Sequence, residues 1–186
     1  MNKAKKIGES KMFDRKVLDK LLDIINNKLK DRSIIGEIHL YGGAAMLLLF
    51  ADRLSTKDID AIFVPKNIFH DIIKKIEEEQ HLQKDWLNDA VKGFFSDKSQ
   101  DYPYKELSNL RIYVAEPEYL LAMKLISSRL ETLDISDIKM LINSLKIKKK
   151  SELHKILNKY YYNSPFISTK VGYVIDDIAD VLGLSD

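Results

Sequence analysis

Hydrophobic residues recur at helical spacing along the first part of the chain. Leucines and isoleucines repeat every three or four positions over about 14–31, which predicts an amphipathic helix. The segment 44–53 is apolar on almost every side and rich in good helix formers, so it predicts a buried helix. A third amphipathic helix is predicted at about 68–80, with Asn67 as its N-cap.

Alternating apolar and polar positions predict three short strands. Residues 37–41 and 110–115 alternate over their whole length. A further strand is predicted over 58–64, and Pro65 ends it because proline has no amide hydrogen to donate. Residues 81–109 show no clear period, and no element is predicted there.

The second half of the chain is predicted to be helical. Pro117 fits the first turn of a helix that runs to about Leu130. Three more helices are predicted near 135–144, 151–161 and 168–182. The predicted fold class is α+β or α/β, with a small mixed sheet flanked by helices. The predicted organisation is a single domain over 1–186, with an α/β core at about 14–115 and a helical part at about 116–186.

Composition excludes several function classes. None of the 186 residues is cysteine, which excludes disulfides, thiolate catalysis and cysteine-ligated zinc. A net charge of +2 gives no bulk electrostatic case for nucleic-acid binding. The first eleven residues lack the apolar segment of a secretory signal, and the longest apolar run, 44–51, is far below the roughly 20 residues that span a bilayer. A soluble cytoplasmic protein without membrane contact is expected.

The stretch with the clearest chemistry begins at Gly42-Gly43, between a predicted strand and a predicted helix. Glycine lets the backbone approach a ligand closely because no Cβ intervenes. The next helix offers unpaired N–H groups and a positive dipole end, which favour a phosphate group. A glycine pair alone is more often simply a turn, so the prediction depends on the residues that come after the helix.

Asp58 and Asp60 come after Arg53, Ser55 and Thr56. Because they are two apart on a predicted strand, the two carboxylates are expected to project from the same face. Two neighbouring carboxylates repel each other unless a cation lies between them, and oxygen ligands suit Mg²⁺. The alternative is a solvated Asp-x-Asp on an edge strand. A phosphate cradle and a carboxylate pair in one strand-helix-strand unit favour phosphoryl or nucleotidyl transfer.

The order of these motifs resembles the signature of the nucleotidyltransferase superfamily, which has the polymerase-beta-like fold. That signature is a glycine pair, a helix, an arginine, a serine or threonine, and an Asp-x-Asp pair. The sequence is most similar to the AbiEii-type bacterial toxin nucleotidyltransferases and their small relatives. The resemblance implies one or two bound Mg²⁺ ions, held by Asp58 and Asp60. It also implies a nucleotide-binding set comprising Gly42, Gly43, Arg53, Ser55, Thr56 and Lys124.

Later motifs extend the resemblance over about 35–145. The helix ending in Lys124, then Arg129 and Asp134-x-x-Asp137, is similar to that branch's lysine and Arg-Asp-x-x-Asp motifs, although Arg129 lies further from Asp134 than in the pattern. The resemblance implies that Lys124 contacts phosphate and that Asp137 completes the catalytic set. The alternatives are a surface lysine and an N-cap pair at Asp134 and Asp137.

Two features stay open at this stage. The segment from Trp86 to Gly93 is similar to a recurrent feature of the same relatives, without an assigned role, and its Asn88-Asp89 pair is typical of a turn. Many superfamily members carry a third carboxylate on a neighbouring strand. The strand at 110–115 offers no acid, so Asp137 is the predicted source of a third carboxylate.

The leading hypothesis is an enzyme that transfers a nucleoside monophosphate from a nucleoside triphosphate to an acceptor hydroxyl. The resemblance implies a tRNA 3′ end or a protein as acceptor, and a role as the toxin of a toxin-antitoxin system. One alternative is a nucleotide-binding module without turnover. Another is an antitoxin-like interaction protein, which predicts an exposed apolar patch over 151–182 rather than an open polar cleft.

Overall fold

The computed structural model describes residues 12–127, 132–162, 164 and 169–186. The chain divides into two compact units. The first holds residues up to Lys92 together with Asp101–Val114, and the second holds Gly93–Gln100 and Ala115–Asp186. The short segment 93–100 thus belongs with the helical half, although it interrupts the first unit in sequence.

The described residues form seven α-helices and five strands. The helices are α1 Arg15–Lys30, α2 Gly42–Leu49, α3 Lys66–Gln80, α4 Pro117–Ser127, α5 Thr132–Leu145, α6 Lys150–Tyr161 and α7 Thr169–Leu182. The strands are β1 Gly36–Leu40, β2 Ile59–Val64, β3 Leu87–Asn88, β4 Asp101–Glu106 and β5 Leu110–Ala115. A short 3₁₀ helix covers Ala90–Phe94. The predicted α+β class with a mixed sheet is confirmed.

The sheet has the order β3-β2-β1-β5-β4. Strand β1 pairs antiparallel with β2 and parallel with β5, so the sheet is mixed. One face is apolar and carries Ile38, Ala61 and Ile112, all buried. Helices α1 and α3 pack on this face: a Cβ on Gly36 would lie 2.8 Å from the Phe69 ring and 2.9 Å from Leu29. The opposite face of the sheet is polar.

The predicted elements of the first unit are present, with corrections at their ends. Strand β1 ends at Leu40, not at residue 41, and α3 begins at Lys66, not at residue 68. Helix α2 begins at Gly42, not after the glycines, and ends at Leu49, so Arg53 lies in a loop. Strand β2 begins at Ile59, so Asp58 precedes the strand. Asn67 is not the N-cap of α3; the cap residue is Pro65, whose extended backbone leads directly into the helix.

The second unit packs its helices around a buried aromatic and aliphatic core that includes Tyr119 and Tyr160, whose ring centroids lie 5.1 Å apart. The four predicted helices are present. The predicted end of the first, at about Leu130, lies outside the described residues, which stop at 127 and resume at 132. Among the described residues, no helix is long and apolar enough to cross a membrane.

Candidate active site

The glycine pair forms the first turn of α2, directly after the buried, extended Tyr41. Gly42 has a φ of +53°, which a residue with a side chain adopts only under strain. The N-cap residue, Tyr41, makes no capping hydrogen bond through its side chain. The start of a helix carries amide hydrogens and a positive dipole end, which favour an anion.

Close neighbours require glycine at both positions, and the backbone conformation requires it at Gly42 as well. A Cβ on Gly42 would lie 2.6 Å from Oδ2 of Asp60, and a Cβ on Gly43 would lie 2.1 Å from Oγ1 of Thr56. The α2 N-terminus, one carboxylate and one hydroxyl thus converge within a few ångströms. These groups come from three separate segments that the sequence places up to 18 residues apart.

Thr56 and Arg53 are the other two residues whose side chains lie beside the glycine turn. Thr56 is buried, its hydroxyl donates to the carbonyl of Asp58 at 3.1 Å, and its backbone exchanges hydrogen bonds with Phe13 at 2.7 and 2.8 Å. An Nη atom of Arg53 lies 3.6 Å from the position of a Gly43 Cβ. Thr56 is the member of the Ser55-Thr56 pair whose hydroxyl is packed against Gly43. A helix N-terminus, a hydroxyl and a guanidinium together suit a phosphate chain.

The two aspartates line one cleft of about 520 Å³. Asp58 is exposed in front of β2, and Asp60 is half-buried within it. Their neighbours Ile59, Ala61 and Phe63 are buried on the apolar face and anchor the strand. The two carboxylates therefore open onto the same cavity, although Asp58 lies outside the strand.

The other wall of the cleft is the segment Gln83–Ala90, which overlaps the Trp86–Gly93 feature. Strand β3 pairs parallel with β2, and Asn88 lies in register with Asp60. Trp86 is fully buried, and its carbonyl accepts from the amide of Ile59 at 2.8 Å. The Asn88 side chain accepts from the amide of Ala90 at 2.9 Å, which is turn chemistry, as predicted. Trp86 therefore anchors a turn that forms the cleft wall.

Asp89, in the same wall, is neutralised by two lysines. Its carboxylate lies 2.6 Å from Nζ of Lys92 and 3.2 Å from Nζ of Lys66. The hydrogen bond from Lys92, supported by Lys66, lowers the pKa of the Asp89 carboxyl below its usual value. The ion pair with Lys66 links the wall to the first residue of α3.

One acidic residue that sequence reasoning missed lies in the same unit. Asp101 begins β4, and its Oδ2 accepts from the hydroxyl of Tyr41 at 2.7 Å and lies 2.8 Å from Nδ1 of His39. No pattern in the sequence marks Asp101 or His39, and the strand at 110–115 itself carries no acid. Only the pairing of the polar strand β4 at the sheet edge brings Asp101 to these residues.

Lys124 and Asp137 lie in the second unit and pair with each other. Nζ of Lys124 lies 2.7 Å from Oδ2 of Asp137, which is fully buried. The structure thus places Asp137 in the interior and not at a helix end. Arg129 lies outside the described residues, as does the side chain of Asp134.

Gly43→Ala is expected to weaken nucleotide binding by at least about tenfold and to destabilise the fold by about 1–3 kcal/mol. The added methyl would meet Thr56 at Oγ1 and at Cβ, 2.9 Å away, and Thr56 cannot withdraw because its backbone is bonded to Phe13. Calorimetric titration with each triphosphate and urea unfolding measure the two effects. Gly172→Ala is the control, because its Cβ would meet nothing within 4 Å. Equal affinity in the wild type and Gly43→Ala would contradict the assignment.

Comparison with known proteins agrees with this geometry. Residues 16–168 match the model of a protein family described as "nucleotidyltransferase of unknown function (DUF6036)". The match covers most of the chain and every candidate residue, so the chain belongs to this family. No curated protein and no solved structure matches the chain significantly. The predicted membership of the nucleotidyltransferase superfamily is confirmed.

Proposed function

We propose that this member of the nucleotidyltransferase family transfers a nucleoside monophosphate from a nucleoside triphosphate to an acceptor hydroxyl, with Mg²⁺ as cofactor. The observation that supports it is the convergence of Gly42 and Gly43 with Thr56, Arg53 and Asp60 in one unit. An anion-binding turn touching a carboxylate needs a ligand that is anionic and carries a cation. A magnesium-bound triphosphate meets both requirements.

The residues present fit Mg²⁺. The cradle that a Cβ on Gly42 would fill lies directly against a carboxylate oxygen of Asp60, and Asp58 lines the same cleft. No group of three or more acidic or histidine side chains within the described residues is placed to hold a metal ion. That is compatible with Mg²⁺, which is commonly held by one or two carboxylates and completes its shell with water and substrate phosphate oxygens. When bound, Mg²⁺ would stabilise negative charge on the phosphates.

The chain's own residues divide the work of binding. The amides of Gly42 and Gly43, the Thr56 hydroxyl and the Arg53 guanidinium hold the outer phosphates, which leave as pyrophosphate. Asp58 and Asp60, which line the cleft, would hold Mg²⁺ there. In this proposal Lys124 offsets charge on the triphosphate, and Asp137 holds its ammonium in place at 2.7 Å.

The acceptor is proposed to be a hydroxyl at a tRNA 3′ end or on a protein side chain, and the biological role that of a toxin. Both finer assignments come from the resemblance to toxin nucleotidyltransferases. The open polar cleft at Asp58 and Asp60 favours an enzyme over an antitoxin-like interaction protein.

Incubation with each radiolabelled triphosphate, Mg²⁺ and either total tRNA or a protein lysate is expected to transfer label to one acceptor class. Chelation of Mg²⁺ should reduce the transfer to background, and added Mg²⁺ should restore it. Gel separation followed by ribonuclease or protease digestion identifies the acceptor. Label from the α-phosphate but not from the γ-phosphate separates nucleotidyl from phosphoryl transfer.

Two other outcomes would change the conclusion. Nucleotide binding without transfer to either acceptor class would favour a binding module that lacks turnover. Transfer without growth arrest on expression in a bacterial host would keep the enzyme and remove the toxin role.

A further inference from the structure

The polar face of the sheet carries a row of side chains beside Asp60. In the antiparallel ladder of β1 and β2, His39 lies opposite Ile62, and the amide of Tyr41 donates to the carbonyl of Asp60 at 2.9 Å. Tyr113 on β5 lies in register with His39. Residues paired across a ladder share a face, so His39, Tyr41, Tyr113 and Asp60 all project away from α1 and α3.

Asp101 ties two of these side chains together. Its Oδ2 accepts a hydrogen bond from the Tyr41 hydroxyl at 2.7 Å and lies 2.8 Å from Nδ1 of His39. The Asp101 side chain is only 12% exposed. Its Oδ1 is buried and makes no hydrogen bond within the described part of the chain. Burying a carboxylate in this way costs free energy, because the oxygen without a hydrogen bond has lost its water. That cost implies that the charge of Asp101 has a function.

The carboxylate also sets the tautomer of the neutral His39 ring. Because an ionised carboxylate only accepts hydrogen bonds, Nδ1 of neutral His39 carries the proton and donates it to Asp101. Nε2 then holds a free electron pair, and it makes no hydrogen bond among the described residues. The ring is stacked on Tyr113 at 4.5 Å between centroids and is 26% exposed. The hydrogen bond to Asp101 therefore holds the His39 ring in place, and its Nε2 is able to accept a proton.

The register places His39 beside Asp60 on the polar face of the sheet. His39 is the diagonal cross-strand neighbour of Asp60, a separation of about 7–8 Å. Gly42 approaches the same carboxylate from the other direction along the chain. Asp60 therefore lies between His39 and the turn proposed to hold the leaving phosphates. In-line displacement requires the acceptor to approach opposite the leaving group, which is the His39 side.

We propose that His39 is the base that takes the proton from the acceptor hydroxyl, and that Asp101 is its positioning residue; this rests on the proposed function. The hydroxyl oxygen forms a bond to the α-phosphorus, the bond from that phosphorus to the bridging oxygen breaks, and pyrophosphate leaves with the electron pair. The hydroxyl proton passes to Nε2 of His39. Asp101 stabilises the resulting imidazolium through the hydrogen bond at Nδ1. The groups facing His39 from its neighbours are Asp101 on β4, Tyr113 on β5 and Asp60 on β2.

The test is His39→Asn, whose amide can still donate to Asp101 but carries no basic nitrogen. We expect kcat for label transfer to fall by about 10²- to 10⁴-fold, with the KM for the triphosphate within about threefold of the wild type. His39→Ala is expected to behave similarly and to recover activity when imidazole is added. His154→Gln, an exposed position on α6, is the control and should leave kcat unchanged.

A spectroscopic measurement tests the positioning role without turnover. Nitrogen-15 spectra of the wild type should show His39 protonated at Nδ1 in its neutral form, and Asp101→Asn should lose this signature and lower kcat at least tenfold. Transfer at the wild-type rate by both His39 variants would overturn this proposal and leave the proposed function intact. Absence of transfer by the wild type itself would overturn both. Proton occupancy at Nε2 in the neutral wild type would overturn the role of Asp101.

Discussion

Replacing Asp58 and Asp60 together with asparagine is expected to reduce label transfer by at least about 10³-fold, which corresponds to about 4 kcal/mol of transition-state stabilisation. Asparagine keeps the shape of the side chain and one oxygen but removes the charge that holds a cation. Both residues open onto the cleft, and Asp60 touches the glycine turn, so neither position can be replaced in function by a neighbour on β2. Initial rates with the triphosphate that the wild type uses measure the effect.

The variant is expected to remain folded, which distinguishes a catalytic role from a structural one. Asparagine matches aspartate closely in volume, so the melting temperature of the variant should lie close to that of the wild type. Addition of Mg²⁺ with the triphosphate should raise the melting temperature of the wild type and not that of the variant, because only a bound ligand stabilises the native state by mass action.

Asp23→Asn/Asp52→Asn is the matched control. It removes the same number of charges from exposed positions on α1 and in the loop after α2, outside the cleft. This control should transfer label at the wild-type rate. Transfer by the Asp58/Asp60 variant at more than about one tenth of the wild-type rate would remove the carboxylates from the mechanism.

The hydrophobic pattern of the sequence was sufficient to predict an element where one face of that element is buried. Strand β5 and helix α1 each bury a periodic set of side chains, and both were predicted within one residue of their observed ends. The Gly-Gly and Asp-x-Asp motifs were also placed correctly relative to each other along the chain. Their proximity, which leaves Asp60 Oδ2 only 2.6 Å from where a Cβ on Gly42 would lie, was not derivable from the sequence, because it depends on how α2 and β2 pack.

The elements that were missed lack that periodic signal. Strand β4 lies at the sheet edge, carries Pro103 and exposes four of its six residues, so no alternation marks it. Strand β3 has only two residues. Asp101 and the turn at Asn88 both lie within or beside these elements. The residues that shape the polar face and the cleft wall therefore required the three-dimensional pairing of edge strands.

The sequence alone does not decide whether Ser55 or Thr56 faces the glycine turn. Adjacent residues in an extended segment point in opposite directions, so one hydroxyl at most faces the glycine turn. The backbone pairing of Thr56 with Phe13, 43 positions earlier, decides which one. No local pattern carries that information.

Asp137→Ala is expected to destabilise the protein by about 3–5 kcal/mol. Asp137 is fully buried on α5, and its removal breaks the ion pair with the ammonium of Lys124, which is 13% exposed on α4. Urea unfolding measures the change. Asp176→Ala is the control. It breaks the ion pair between Asp176, 48% exposed, and Lys150, 31% exposed, and should lower the free energy of unfolding by no more than about 1 kcal/mol. Equal costs at the two sites would contradict the buried-charge argument.

The double variant Lys124→Met/Asp137→Leu separates stability from function. Apolar side chains of similar volume leave no uncompensated charge, so stability should return to within about 1 kcal/mol of the wild type. If the pair only holds α4 against α5, label transfer returns with it. We expect a folded protein whose transfer stays at least about 10²-fold below the wild type, because a methionine cannot offset charge on a triphosphate. Full recovery of transfer would make the pair purely structural and leave phosphate binding to the turn at Gly42 and Gly43.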